Sequence, residues 1–227
     1  MSSSKRPPSK PKTAQPARLL LIRHAEVEPR YQNVFGGQID MNLSERGREQ
    51  AKVLANFLSG KQFDAIYASP MKRVQQTLAP TLENKTPKPT VMAGLREVCF
   101  GNWTGLNWQE VREKFGVHPY DWLDEIELGR VPNGESSIQF RARVEPCLNQ
   151  IIQKHPGETV AIFCHGGVIR MMLSTLLGLP LPKTNAFEIE YTSVTQVALH
   201  PHLNEIELLN FTPWRDLVIA DRHHEIG

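Results

Sequence analysis

The stretch Leu19-Leu20-Leu21-Ile22-Arg23-His24-Ala25 decides the fold. Four consecutive aliphatic side chains read as a strand buried on both faces, the pattern of a parallel sheet clad by helices. Arg23 and His24 then stand where that strand runs out, and strand ends are where open α/β sheets bind ligands. The arrangement recurs at Thr159-Val160-Ala161-Ile162-Phe163, a second apolar run that delivers Cys164-His165-Gly166-Gly167 at its end. Two imidazoles are thereby aimed at one crevice.

Working outward, residues 27–42 have loop composition and lead through the capping candidate Ser44 into a helix over about 45–58, where Ala51, Leu54 and Leu58 recur at helical spacing. A short strand is expected at 63–67. Ser69-Pro70 then reads as an N-cap followed by a first-turn proline, which places Arg73 at the start of the next helix, whose free N–H groups favour an anion. Residues 94–134 contain Trp103, Trp108 and Trp122 and two short helical patterns, at about 108–115 and 120–128, and read as a long excursion over the crevice. A helix over about 136–153 with a kink at Pro146, a helix over 168–177, and strand-like runs at 187–191, 194–199 and 206–209 complete the chain. Strand and helix alternate through most of its length, which predicts an α/β fold with a mostly parallel sheet, helices on both faces and an antiparallel edge from the last strands.

The length of 227 residues suits one α/β domain with an elaborated loop. Residues 1–16, rich in Ser, Lys and Pro, are expected to be a disordered tail, and 17–227 a single domain. No apolar run approaches the roughly 20 residues that cross a bilayer, and no signal-peptide core follows the basic N-terminus, so a cytoplasmic protein is expected. A net charge of +2, from 26 basic and 24 acidic residues, is too balanced for a nucleic-acid partner. Cys99, Cys147 and Cys164 are odd in number and lack CxxC spacing, which leaves three reduced thiols instead of a disulfide framework or zinc knuckle. Cys164 beside His165 is no nucleophilic pair, because adjacent strand residues point to opposite faces. His118, His155, His200, His202, His223 and His224 sit beside prolines or at the C-terminus and read as ordinary loop residues.

The chemistry follows from the residue types. A phosphate ester carries about two negative charges and resists anionic attack, so its pocket needs permanent cations on the nonbridging oxygens. Arg23 and Arg73 suit that task through their planar forks. A neutral imidazole can attack phosphorus to give a phosphohistidine that water later hydrolyses. One of His24 and His165 would attack while the other, protonated, holds an oxygen. The leaving alcohol needs a proton, and Glu97, in Leu95-Arg96-Glu97, is the carboxyl group placed to give it. Each residue alone has an ordinary structural reading; their convergence carries the inference.

Leu21-Ile22-Arg23-His24 with Glu26, Gly37-Gln38-Ile39-Asp40, Leu43-Ser44-Glu45-Arg46-Gly47, and Tyr67-Ala68-Ser69-Pro70 with Arg73 and Thr77 follow one another in an order that resembles the histidine phosphatase superfamily, the phosphoglycerate mutase-like proteins. Leu95-Arg96-Glu97 with Phe100-Gly101-Asn102-Trp103, Asn133-Gly134-Glu135-Ser136 with Arg141 and Val144, and Cys164 through Arg170 extend the resemblance. It implies a three-layer α/β/α sandwich, His24 as nucleophile, Glu97 as proton donor, and Arg23, Arg73 and His165 as the phosphate pocket. Gly37 and Asn33 are further implied phosphate contacts, and neither metal nor cofactor is implied. Ala25 stands where the signature usually has glycine, which would put a methyl group near the pocket floor, and Arg30 stands where many members carry asparagine, with Asn33 as its substitute.

The expected function is a metal-independent phosphomonoesterase acting on a small phosphorylated metabolite through phosphohistidine, with no membrane partner and a homodimer left open. Residues 100–105 look more like the broad-specificity and α-ribazole phosphatase branch than the glycolytic mutases. A phosphoglycerate mutase is the first alternative reading and a non-catalytic phosphate sensor the second.

Overall fold

The computed structural model describes residues 15–83 and 86–217. Its centre is a six-stranded sheet in the order β3-β2-β4-β1-β5-β6, formed by β1 (Ala17–Arg23), β2 (Ala65–Ala68), β3 (Thr90–Val91), β4 (Thr159–Cys164), β5 (Val194–Leu199) and β6 (Asn204–Phe211). The strands from β3 to β1 are parallel, while β5 pairs antiparallel with β1 and β6 with β5. The mostly parallel sheet with an antiparallel edge is therefore as expected.

Alternation along the strands splits the core in two. Leu19, Leu21, Val160 and Ile162 face one side; Leu20, Ile22, Ala161 and Phe163 face the other. The second side is covered by α1 (Glu45–Ser59) and α2 (Lys72–Leu82), which bring Leu54, Leu58, Val74 and Leu78 onto the sheet. The first is covered by the excursion with α3 (Trp108–Phe115) and α4 (Trp122–Glu127), and by α5 (Ser137–Lys154) and α6 (Gly166–Leu177). Leu19 through Ile22 are each at most 1% exposed, so all four contribute about 1.5–3 kcal/mol apiece by burial, and the run can only be a central strand. Three of the described α-helices start on side-chain caps: Ser44 accepts the Gly47 N–H, and Asn107 and Ser136 form capping boxes with Glu110 and Gln139.

Several boundaries differ from the sequence reading. Strand β2 begins at Ala65, and the two-residue β3 had no sequence signal. Pro146 lies inside an α5 that runs unbroken to Lys154. Residues 187–191 form no strand; the Ile189 carbonyl instead accepts a hydrogen bond from Arg23. Ser69 is not the cap of α2, which starts at Lys72 with Met71 as N-cap, because the Ser69 N–H extends the β2–β4 ladder to the Phe163 carbonyl. The tail expected at 1–16 lies outside the described residues except for Gln15 and Pro16. Among the described residues no helix is long and apolar enough to cross a membrane.

Candidate active site

The register of β1 on β4 is what joins the two histidines. Arg23 stands opposite Cys164, and the His24 N–H donates to the Cys164 carbonyl at 3.1 Å. The residues following each strand are consequently neighbours, and the His24 and His165 rings meet edge to face with centroids 5.3 Å apart.

His24 is buried, and its Nδ1 lies 2.8 Å from the Ala25 carbonyl oxygen. A carbonyl only accepts, so Nδ1 carries the hydrogen and Nε2 the lone pair. Arg73 Nε donates to that lone pair at 3.2 Å. Burial, then the Arg73 and Arg23 guanidiniums, holds the His24 pKa well below the ordinary histidine range. The result is a neutral imidazole with Nε2 facing the Arg73 guanidinium.

His165 is fully buried and its Nε2 lies 2.8 Å from Ser69 Oγ. Ser69 Oγ also accepts the Met71 N–H, and it keeps both a hydrogen and a second lone pair, so its bond to Nε2 fits either ring tautomer. Nδ1 has no partner among the described residues. Burial, followed by Arg73, His24 and Arg23, lowers the His165 pKa well below its usual range as well. This changes the expected role of the second histidine: the surroundings favour a neutral ring over a standing imidazolium.

The cations are fixed by backbone. Arg73, 2% exposed in the first turn of α2, donates from Nη1 to the Ile39 carbonyl and from Nη2 to the Gly37 carbonyl at 2.9 and 2.8 Å, which folds the loop around it. Burial is the main cause lowering its pKa to about 10, so it stays charged at neutral pH. Arg23 donates from Nη1 to the Ile189 carbonyl at 2.6 Å, lies over the Tyr191 ring at 4.2 Å, and keeps Nε without a partner among the described residues. Glu97 accepts from the Val98 N–H at 3.0 Å through Oε1 and from the Gly167 N–H at 3.3 Å through Oε2. A Cβ on Gly167 would come within 2.4 Å of Glu97 Oε1, so only glycine lets this carboxyl group rest on the start of α6.

Arg23, His24, Arg73, Glu97, Gly37 and Gly167 all line one cavity of about 250 Å³, joined by Phe35, Phe100, Trp108 and Trp122 on its apolar side. His165 lies beneath, touching His24. Residues 94–134 thus supply Glu97 together with Phe100, Trp108 and Trp122 of the cavity wall. Asn33 does not join the cavity lining: it is exposed, at a φ of 57°. Arg30 is also exposed, beside Glu28 at 3.4 Å and over the Tyr31 ring. Ala25 does not put a methyl group into the cavity; it packs with Leu43 and Ala51, and its N–H donates to Thr77 Oγ1 at 2.9 Å. Cys164 sits in the core with its thiol pKa pushed far up by burial, which removes it as a nucleophile.

Four residues escaped the sequence reading as parts of this site. Ser69 had been assigned to a helix cap, and Tyr191 lies in a segment whose approach to Arg23 depends wholly on tertiary structure. Arg170 lines the cavity with a guanidinium whose pKa burial lowers to about 10, and it donates to the Thr184 carbonyl. Arg143, two residues from the quoted Arg141, bonds the carbonyls of Gly94, Arg96 and Glu97, whereas Arg141 bonds Ser174 and Thr175 on α6.

Comparison with known proteins agrees with this geometry. Residues 19–212 match the model of the histidine phosphatase superfamily, branch 1. The chain is 33% identical over 195 residues to phosphoserine phosphatase 1 of Hydrogenobacter thermophilus, covering 86% of this chain and 92% of that protein. It is 35% identical over 175 residues to a 2,3-bisphosphoglycerate-dependent phosphoglycerate mutase of Bartonella henselae, covering 71% and 82%. The fold superposes on the α-ribazole phosphatase of Shigella flexneri with a TM-score of 0.74 at 24% identity, over 86% of this chain and 96% of that one. His24, Arg23, Arg73 and Glu97 lining one cavity with His165 beneath it, on a chain matched over residues 19–212, place the protein in branch 1 of the histidine phosphatase superfamily as a phosphatase of that type.

Proposed function

We propose that the protein hydrolyses a small phosphorylated metabolite through a phosphohistidine on His24, without a metal ion. The observation that carries this reading is the state of His24: neutral, its hydrogen on Nδ1 by the Ala25 carbonyl, and its Nε2 lone pair facing Arg73. In the first step the Arg73 Nε–H hydrogen bond passes from Nε2 to a nonbridging oxygen, the freed Nε2 lone pair attacks phosphorus, the P–O ester bond breaks, and Glu97 gives its proton to the leaving alcohol. Arg23, Arg73 and His165 take the nonbridging oxygens, His165 as the tautomer with its hydrogen on the unpartnered Nδ1. Water then attacks the phosphohistidine while Glu97 takes a proton back, releasing phosphate and neutral His24.

The substrate class follows from the third guanidinium. Arg170 lines the same cavity, and among the described residues it forms no ion pair. We assign it to a second anionic group on the substrate. The relatives named for phosphoserine and for phosphoglycerate act on phosphate esters that also carry a carboxylate, which supports that choice. The free thiols of Cys99, Cys147 and Cys164 fit a reducing, cytoplasmic compartment.

The test is to trap the intermediate. A phosphoramidate survives alkali and breaks down in acid, so rapid quenching into base during turnover of a labelled ester should leave label on the peptide containing His24. His24→Ala should abolish both label and phosphate release. Label on His165, or phosphate release that persists in His24→Ala, would overturn the assignment; interconversion of phosphoglycerates without net phosphate release would instead make the protein a mutase.

A further inference from the structure

We propose that Arg143 is the positioning residue for Glu97, holding the proton donor in place through a clamp shared with Glu135; the inference rests on Glu97 being the proton donor. Glu97 lies in neither helix nor strand. The segment follows a single 3-10 turn at Ala93–Leu95, so its carbonyls have no ladder of their own and must be paired by side chains or water. Arg143, reaching from α5, supplies three of those pairs: Nη1 donates to the Gly94 and Arg96 carbonyls at 2.8 and 2.6 Å, and Nη2 to the Glu97 carbonyl at 3.0 Å.

The guanidinium is itself held. Glu135 accepts from Nε at 2.6 Å and from Nη2 at 2.8 Å, a bidentate pair that fixes the plane of the fork, and the Phe140 ring lies 4.7 Å from Cζ. Glu135 also grips the chain just beyond Glu97. Its Oε2 accepts the Cys99 N–H at 2.8 Å and its own N–H donates to the Cys99 carbonyl at 2.9 Å. The backbone is thus clamped on both sides of Glu97 by one ion pair, with the carboxyl group on the Gly167 N–H at the cavity wall. Lysine at position 143 would keep the charge but lose the fork, since one ammonium cannot bond a carboxylate and three carbonyls in that plane.

A residue that acts through the proton donor has a signature that a purely structural residue lacks. Its loss must scale with how badly the leaving group needs the proton. We expect Arg143→Lys to lower kcat/KM on an alkyl phosphate by about tenfold to a hundredfold, the effect of misplacing a catalytic group by about 1 Å. Turnover of p-nitrophenyl phosphate, whose leaving group needs little protonation, should fall less than about threefold. In a Glu97→Gln background, adding Arg143→Lys should cost nothing more on the alkyl ester, because the two act as one unit. Glu135→Gln, which keeps the side-chain volume and weakens one arm, is measured in the same way and decides the matter if Arg143→Lys does not fold. Equal losses on both esters, additive losses in the Glu97→Gln background, or no loss on the alkyl ester would overturn the clamp. If Glu97→Gln is selective for the alkyl ester while the Arg143 and Glu135 variants are not, the clamp alone fails; if Glu97→Gln itself lowers both esters equally, the proton-donor assignment fails first.

Discussion

At the scale of single residues, the two histidines place the site under strain that pH should reveal. Both imidazoles are buried beside Arg73 and Arg23, and both have pKa values well below the ordinary range. In the unfolded chain the same rings titrate near ~6.5. Below that value the unfolded state therefore binds protons that the folded state refuses, and stability falls as pH drops, by up to about 1.4 kcal/mol per pH unit for each histidine. The carboxylates held low by their partners, Glu207 and Asp216, act in the same direction but only further down, in the carboxylate range. We expect the melting temperature to be nearly flat from about pH 8 to 7, to fall between about pH 6.5 and 5, and to fall less steeply in His165→Asn, measured by thermal denaturation at fixed ionic strength. A flat profile down to pH 5 would show that the folded protein charges these rings without penalty.

Elements position what residues do, and one close approach between elements is decisive. Helix α1 begins directly under the loop that follows β1: a Cβ on Gly47 would stand 2.0 Å from the Glu26 carbonyl oxygen. Alanine normally favours a helix over glycine by about 1 kcal/mol, but here that gain meets backbone two residues from His24. We expect the clash to win, with Gly47→Ala destabilising the fold by about 1–3 kcal/mol and lowering the melting temperature by several degrees, together with a loss of phosphatase rate. A higher melting temperature would show that α1 can move away freely. Element identity was largely legible in the sequence where local chemistry was complete: α3 runs over the expected 108–115 because Asn107, Glu110 and Gly116 cap it at both ends. It was illegible where a tertiary partner outbid the local pattern. Residues 187–191 alternate like a strand yet serve Arg23, and Ser69 looks like a cap yet serves His165. Arg141 and Arg143 lie two positions apart on α5, hence on different faces, and no local signal tells which face meets the Glu97 segment.

For the molecule as a whole, the α/β class and the paired histidines were readable because they depend on two apolar runs and on the rule that ligands gather at parallel strand ends. The third cation and the clamp were not, since they arise only when α5 and α6 pack on the same sheet face. A net charge of +2 likewise conceals how the charge is placed: among the described residues Arg23, Arg73 and Arg170 line the cavity against the single carboxyl group of Glu97. That imbalance bears on metal dependence. A divalent cation entering the cavity would meet three guanidiniums and one carboxyl group, whereas magnesium is usually held through one or two carboxylates and substrate phosphates. The guanidiniums already provide the field that a metal would supply to the transferring phosphoryl group. Hydrolysis is therefore expected to keep its full rate after dialysis against EDTA, and added magnesium should leave kcat/KM unchanged except through screening or chelation of the substrate. A loss on chelation that magnesium or zinc restores would mean that the arginines bind the ester without carrying its charge through the transition state, and the phosphoryl-transfer step would have to be rebuilt around the metal.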